Sequence, residues 1–102
     1  MHGMGNMQQM MKQAQKLQKQ MLEAQETLAK QDFLGVSTNE YVKATFSGDK
    51  QLKTVEFHED VVDPEDTDLL SDMVVMAVND ALSKIDAASE KTMGKFGKGL
   101  PF

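Results

Sequence analysis

The sequence predicts an α+β fold in which two long helices flank a three-stranded antiparallel sheet, in the order α-β-β-β-α. Three observations predict it. Apolar residues follow a heptad spacing in the first third of the chain, alternate with a period of two in the middle, and return to a helical stripe in the last third. A chain of 102 residues with six aromatic side chains forms one small domain, whose core must be aliphatic or be completed by a second copy.

The first helix is expected from Asn6, a suitable N-cap, to about Gln31, because this stretch has no glycine or proline and is rich in helix formers. Its apolar residues recur at spacings of three and four, the narrow a/d pattern of a helix that packs along a partner helix, and we expect this stripe to bring two copies of the chain together. These residues, called the seam below, are Met7, Met10, Ala14, Leu17, Met21, Ala24 and Leu28. Glutamines flank the seam, while Lys12, Lys16 and Lys19 fall on the outer f and c positions.

The middle of the chain predicts three short strands. Residues 33–36 begin the first strand, and a turn is expected at 38–40. Apolar and polar residues alternate in 41–46 and again in 52–57, which is typical of half-buried antiparallel strands. The sequence Ser-Gly-Asp-Lys at 47–50 predicts the hairpin turn between them. A sheet with one apolar face needs a helix over it.

The second helix is expected to start at Asp63-Pro64, where aspartate can cap and proline suits the first helical position. Its core stripe is Leu70, Met73, Val74, Ala77, Ala81, Ile85 and Ala88, widened by Leu69, Val78 and Leu82. The helix is expected to end near Met93-Gly94. We therefore predict one domain over 1–94 and a flexible basic tail over 95–102.

Composition excludes several classes of function. Because the chain has no cysteine, it can hold no disulfide, zinc–thiolate site or iron–sulfur cluster and has no thiol nucleophile. No apolar run is long enough to span a bilayer, and no secretory signal is expected at the N-terminus. The formal charge of −5 is segregated: residues 1–31 carry +2, residues 32–90 carry −10 and residues 91–102 carry +3. We expect a cytoplasmic protein without enzymatic activity.

Candidate catalytic and metal-binding groups are weak. His58 follows a strand without a second histidine nearby, so an exposed loop histidine is favoured over a metal ligand or general base. The acids of residues 59–68 lack the spacing and central glycine of a calcium loop, so a solvated helix start is favoured. We expect no cofactor, no metal and no small-molecule ligand.

The lysines of the first helix are the strongest binding candidates. Lys12, Lys16 and Lys19 have no acid within one turn before or between them, so a phosphate-contacting face and a merely solvated face are equally supported. All eleven basic residues are lysine, and without arginine the bidentate recognition of guanine is weak. The methionines of this helix favour seam packing, with a promiscuous binding surface as the alternative.

Four stretches resemble the YbaB/EbfC family of small bacterial nucleoid-associated proteins. They are MKQAQKLQ at 11–18, YVKATFSG at 41–48, LLSDMVVMAVNDAL at 69–82 and GLPF at 99–102. The resemblance covers essentially the whole chain. Two departures are the missing arginine, which weakens the case for tight or sequence-specific binding, and Thr38-Asn39-Glu40 in place of a more glycine-rich turn.

The resemblance implies a homodimer whose strands and helices join centrally while the long helices project like tweezers. It also implies duplex DNA as a largely non-specific partner, a place in the nucleoid, and a structural role for Asn79-Asp80-Ala81. The expected phosphate-contacting residues are Lys12, Lys16, Lys19, Lys30, Lys91, Lys95 and Lys98. The alternative is a protein-interaction module that grips another protein's helix with methionine-rich arms and makes no nucleic-acid contact.

Overall fold

The computed structural model describes the backbone of residues 2–97 and the side chains of residues 6–96. The elements are α1 (His2–Lys30), β1 (Asp32–Val36), β2 (Val42–Ser47), β3 (Leu52–Phe57) and α2 (Thr67–Gly97), with short 3-10 turns at Thr38–Glu40 and Glu59–Val61. The predicted α-β-β-β-α order is confirmed. Within residues 2–97, neither helix is long and apolar enough to cross a membrane.

Both predicted helix starts are wrong by a few residues. Because α1 already begins at His2, Asn6 lies inside the helix and does not cap it; an early glycine weakens a helix without ending it. The second helix begins at Thr67, and its cap is Asp66, whose Oδ1 accepts a hydrogen bond from Leu69 N–H at 3.2 Å. Asp63 instead accepts from Glu65 N–H at 2.9 Å and stabilises the turn before the helix.

The second helix also continues three residues beyond its predicted end, to Gly97. Gly94 is tolerated inside it because a helical glycine costs only about 1 kcal/mol relative to alanine. Lys95 is therefore helical, whereas residues 98–102 of the predicted tail lie outside the described part of the chain.

The sheet has the order β1-β2-β3, with both pairs antiparallel. The core lies between this sheet and α2. Val42, Ala44 and Phe46 of β2 are buried, as are three residues of α2 (Ala77, Ala81 and Ile85) and Val61. The alternation predicted for the second strand is confirmed, because its other residues are only half-buried.

Gly35 permits the close approach of α2 to β1. A Cβ at this position would collide with the carbonyl oxygen of Ala77 and would lie 2.6 Å from Ala81 Cβ. Because the helix sits directly on the glycine, its axis is held over β1 and β2. Extensive packing joins α2 to these two strands but not to β3.

The hairpin turn supports the end of α1. Gly48 N–H donates to Gln31 O at 2.9 Å, and a Cβ on Gly48 would collide with the carbonyl oxygen of Leu28. In the same turn, Ser47 donates to Asp49 and Lys50 adopts a φ of 66°. The β2–β3 hairpin therefore fixes the last turn of α1 against the sheet.

The described chain is elongated, with principal extents of 79 × 21 × 16 Å. The two long helices overlap only near their C-terminal ends, where Gln25 Nε2 lies 3.6 Å from Met93 Sδ. From this overlap α1 extends about 34 Å toward its start and α2 about 39 Å toward its own, at 1.5 Å per residue. Placed end to end, these two lengths account for most of the long axis.

Candidate nucleic-acid interface

The first helix carries four lysines on one face. At about 100° per residue, Lys12, Lys16, Lys19 and Lys30 project within roughly 60° of one another. All four side chains are exposed. We call these four residues the lysine row. The row lies on the side of α1 opposite the seam, as the f and c positions predicted.

The row is free of ion pairs among the side chains that the structure describes. Three other lysines are paired: Lys50 with Asp86 at 3.3 Å, Lys53 with Asp32 at 2.8 Å and Lys84 with Asp80 at 3.1 Å. None of the four row lysines has a carboxylate within 4.0 Å. Exposed, uncompensated ammonium groups are suited to contacting phosphates.

The basic character of the row is concentrated in its first three members. Glu23 and Glu26 share this face and lie between Lys19 and Lys30 along the helix. Lys12, Lys16 and Lys19 span about 10 Å of the helix without an acid between them. Since α2 overlaps only the later part of α1, these three lysines lie toward the free end of the molecule.

The remaining predicted site residues lie elsewhere. Lys91 is exposed on α2, and Lys95 borders a cleft of about 350 Å³ between the helix ends, lined by Ala24, Thr27, Leu28, Gln31, Thr92, Lys95 and Phe96. The structure gives no contact that joins either lysine to the lysine row. Lys98 lies outside the described residues.

The opposite end of the molecule is acidic. Residues 59–72 carry seven carboxylates and no lysine, and all seven side chains are exposed. They surround the start of α2, where Asp66 serves as a cap. Within residues 6–96, no three histidine or acidic side chains come together as a metal site. Asp66 caps α2, Asp63 stabilises the turn before it, and the remaining carboxylates are exposed to solvent.

Asp80 and Lys84 close the outer edge of β1. Asp80 Oδ2 accepts a hydrogen bond from Val36 N–H at 2.9 Å, and Lys84 Nζ donates to Leu34 O at 2.8 Å. The Val36 N–H and then Lys84 hold the pKa of Asp80 below its ordinary value. This edge is therefore occupied by side chains and is protected from pairing with another strand.

An uncovered apolar face lies on β3, and the sequence did not reveal it. Phe57 and Val55 pair with Val42 and Ala44, so they belong to the face on which α2 packs. The helix lies mainly over β1 and β2, so Val55 packs against the core but Phe57 and Leu52 remain 49% and 50% exposed. The alternation in 52–57 showed an apolar face, but nothing in it showed that α2 would cover only two strands.

His58 has a local structural role. Its Nδ1 accepts a hydrogen bond from Asp60 N–H at 3.1 Å, and its ring stands edge-on to Tyr41 with centroids 5.6 Å apart. The side chain is exposed. This matches the expectation of an exposed loop histidine.

The fold and the lysine row define a small, elongated α+β protein that presents a cationic helical arm at one end and acids at the other. Residues 4–100 match the sequence model of the YbaB/EbfC DNA-binding family. The chain belongs to this family.

Relatives of high identity span the full length. A "Nucleoid-associated protein" of Enterococcus faecalis is 58% identical over 101 residues, covering 99% of this chain and 97% of that protein. The Streptococcus uberis protein "Nucleoid-associated protein SUB1611" is 57% identical, covering 97% of this chain and 100% of its own. The crystal structure of the uncharacterized Helicobacter pylori protein HP0035 has a similar fold, with a TM-score of 0.71 at 15% identity over 85% of this chain and 91% of that one.

Proposed function

We propose that this protein binds duplex DNA as a homodimer, mainly through lysine–phosphate contacts with little sequence preference, and contributes to nucleoid organisation or gene regulation in the bacterial cytoplasm. The observation that carries the proposal is the group Lys12, Lys16 and Lys19, exposed and unpaired on the free part of α1. The family description and the names of the relatives support DNA as the partner and the nucleoid as the location.

The type of basic residue favours backbone contacts over base recognition. A lysine ammonium is a flexible point charge, whereas arginine supplies the planar fork that reads guanine. Glutamines flank the three lysines at positions 13, 15 and 20 and add neutral hydrogen-bond donors for phosphate oxygens. The contacts that this face can make therefore fix the protein on DNA without selecting a sequence.

The distribution of charge favours binding through α1. The seven acids of residues 59–72 lie at the end of the molecule away from the lysines. A polyanion attracts one end and repels the other, so the acidic start of α2 would point away from the duplex. Lys91, Lys95 and Lys98 would add contacts near the end of α2.

The uncovered face of β3 supports the homodimer. Leu52 and Phe57 lie beside α2 on the core side of the sheet, and half of each side chain is exposed. A second copy that buries this face completes the core that the single chain leaves open. The free outer edge is at β3, because Asp80 and Lys84 occupy the edge of β1.

A salt titration on random-sequence duplex tests the proposal. If six lysines per dimer engage phosphates, the logarithm of the affinity falls against the logarithm of salt concentration with a slope near −5, at about −0.9 per contact. In the triple variant K12Q/K16Q/K19Q, binding should weaken strongly and the slope should become much shallower, with the remainder coming from Lys30, Lys91, Lys95 and Lys98. Fold stability should be unchanged because the three side chains are exposed.

The matched control removes the same charge from the β2–β3 hairpin. The triple variant K43Q/K50Q/K53Q lowers the net charge equally, but Lys50 and Lys53 are engaged with Asp86 and Asp32. This control variant should keep most of its affinity for DNA and the same dependence of affinity on salt concentration. Equal losses in the two variants, or an affinity independent of salt, would contradict lysine–phosphate binding through α1.

A second candidate function is a protein-interaction module that does not contact DNA. It is favoured by Met7, Met10 and Met11, which are all at least 60% exposed on the free part of α1. A mobility shift of duplex DNA at physiological salt separates the two functions, because only the first predicts a shift.

A further inference from the structure

The charged residues of α1 are confined to two heptad positions, whereas its apolar residues also occur outside positions a and d. With Met7 at position a, Lys12, Lys19 and Glu26 fall at f, whereas Lys16, Glu23 and Lys30 fall at c. Every charged residue between Asn6 and Lys30 therefore lies at c or f. The e and g positions, which flank a seam and decide its partner, are Asn6, Met11, Gln13, Gln18, Gln20, Gln25 and Thr27. Five of the seven heptad positions carry no charge.

One half of this neutral surface is already a packing interface. Leu17, Met21, Ala24 and Leu28 are half-buried, and α2 lies beside the last two of them, where Gln25 contacts Met93 and a cleft separates Ala24 and Leu28 from Thr92 and Phe96. The other half continues in the same register without a packing partner among the residues that the structure describes. Met7 and Met10 are 64% and 66% exposed, and Ala14 is exposed as well.

We propose that this exposed half of the seam, residues 7–14, pairs with the same segment of a second copy, so that homodimers join one another through their first helices. The placement of charges on α1 indicates that the partner is the same segment of a second copy. Two identical segments bring neutral glutamine flanks together without charge repulsion, and the segment continues, in the same heptad register, the half-buried stripe that meets α2 at Ala24 and Leu28. An apolar seam of methionine and alanine lets two helices approach closely.

The size of the segment makes this pairing weak. Residues 7–14 cover about two turns, and their exposed apolar side chains amount to roughly 300–400 Å² per copy, well below the roughly 800 Å² per partner of a standard stable interface. Pairing should therefore be slight in dilute solution. Pairing should become extensive when many copies are held close together, because a high local concentration drives association even when the affinity of each pair is low.

The consequence, which rests on the proposed function, is bridging of two duplexes. The lysine row lies roughly 160° around α1 from the seam, so paired helices direct their lysines outward on opposite sides. Each homodimer can keep one duplex while its first helices hold a homodimer that is bound to another. The segment thus gives the nucleoid protein a way to bring DNA segments together.

Cysteine crosslinking tests the pairing without reference to DNA binding. The natural chain has no cysteine, so M10C places a single thiol at the centre of the segment and Q8C places one on the opposite side of the same turn. Under mild oxidation at high protein concentration, M10C should form covalent pairs at least fivefold faster than Q8C. Under native conditions these products should have the mass of two homodimers or more. Equal rates for the two variants, or products with the mass of one homodimer, would overturn the proposal.

A bridging assay tests the consequence. Duplex on beads is loaded with protein and challenged with a second, fluorescent duplex. The variant M7Q/M10Q should bind the first duplex as the natural protein does but retain at least tenfold less of the second. The control L22Q removes another exposed apolar side chain, at position b and off the seam. This variant should bind the first duplex and retain the second as the natural protein does. Unchanged bridging by M7Q/M10Q refutes pairing through the seam, whereas failure of the natural protein to hold the first duplex refutes the proposed function instead.

Discussion

Phe57 provides the most direct test of the proposed dimer interface. About half of its side chain is exposed on the core side of β3, and an aromatic side chain of this kind presents roughly 200 Å², so about 100 Å² remains for a partner to bury. At about 25 cal/mol per Å², this area contributes about 2.5 kcal/mol per protomer and about 5 kcal/mol per symmetric dimer. The substitution F57Q should therefore raise the dimer dissociation constant by roughly three to four orders of magnitude.

Sedimentation over a concentration series measures this change. The natural protein should remain dimeric at concentrations at which F57Q is a folded monomer, and circular dichroism should report the same helix content for both. The matched control is L34Q, which removes an apolar side chain of similar exposure from β1. Because Leu34 pairs with Thr45, it lies on the opposite face of the sheet, and its loss should leave the dimer intact. If F57Q dimerises as tightly as the natural protein, the interface lies elsewhere and the reasoning from the uncovered face fails.

Three further substitutions test the fold itself. G35A should lower the free energy of unfolding in urea by about 3 kcal/mol, because the new methyl group would displace α2 at Ala81. A loss below about 0.5 kcal/mol would mean that α2 can shift to make room for the methyl group. Because the pKa of Asp80 is lowered in the folded chain, its carboxylate stabilises the fold fully above its ordinary pKa, and this stabilisation is lost as the pH falls through the folded-state pKa. The melting temperature of D80N should therefore decline less than that of the natural protein below about pH 4. An identical decline in the two proteins would contradict this. D66A removes the cap of α2 and should cost about 1 kcal/mol, whereas the same change at Asp63 should cost less if the helix starts where the structure has it.

Local sequence pattern was sufficient to predict the element order and the cationic face of α1. Helix periodicity assigns each lysine a direction without any tertiary information, so Lys12, Lys16 and Lys19 could be placed opposite the seam before the fold was known. The alternation in β2 likewise identified Val42, Ala44 and Phe46 as core residues, because a strand has only two faces.

The lateral position of α2 could not be predicted in the same way. It depends on one residue, Gly35, whose missing side chain lets the helix backbone settle over β1. The exposed face of β3 is a consequence of that placement, so alternation alone could not show that Leu52 and Phe57 would stay half exposed. The start of α2 was misplaced for a different reason: Asp63 and Asp66 are equally good caps in isolation, and only the hydrogen bond to Leu69 N–H distinguishes them.

The short overlap between the two helices gives α1 the properties of a lever. Lys12 lies sixteen residues before Leu28, a distance of about 24 Å along the axis. A tilt of roughly 10° at Leu28 would thus carry Lys12 through about 4 Å, comparable to the separation of contacting groups in an ion pair. Because Gly48 rests against the carbonyl of Leu28, the β2–β3 hairpin acts as the fulcrum, and substitutions in this small turn would redirect cationic groups far from it.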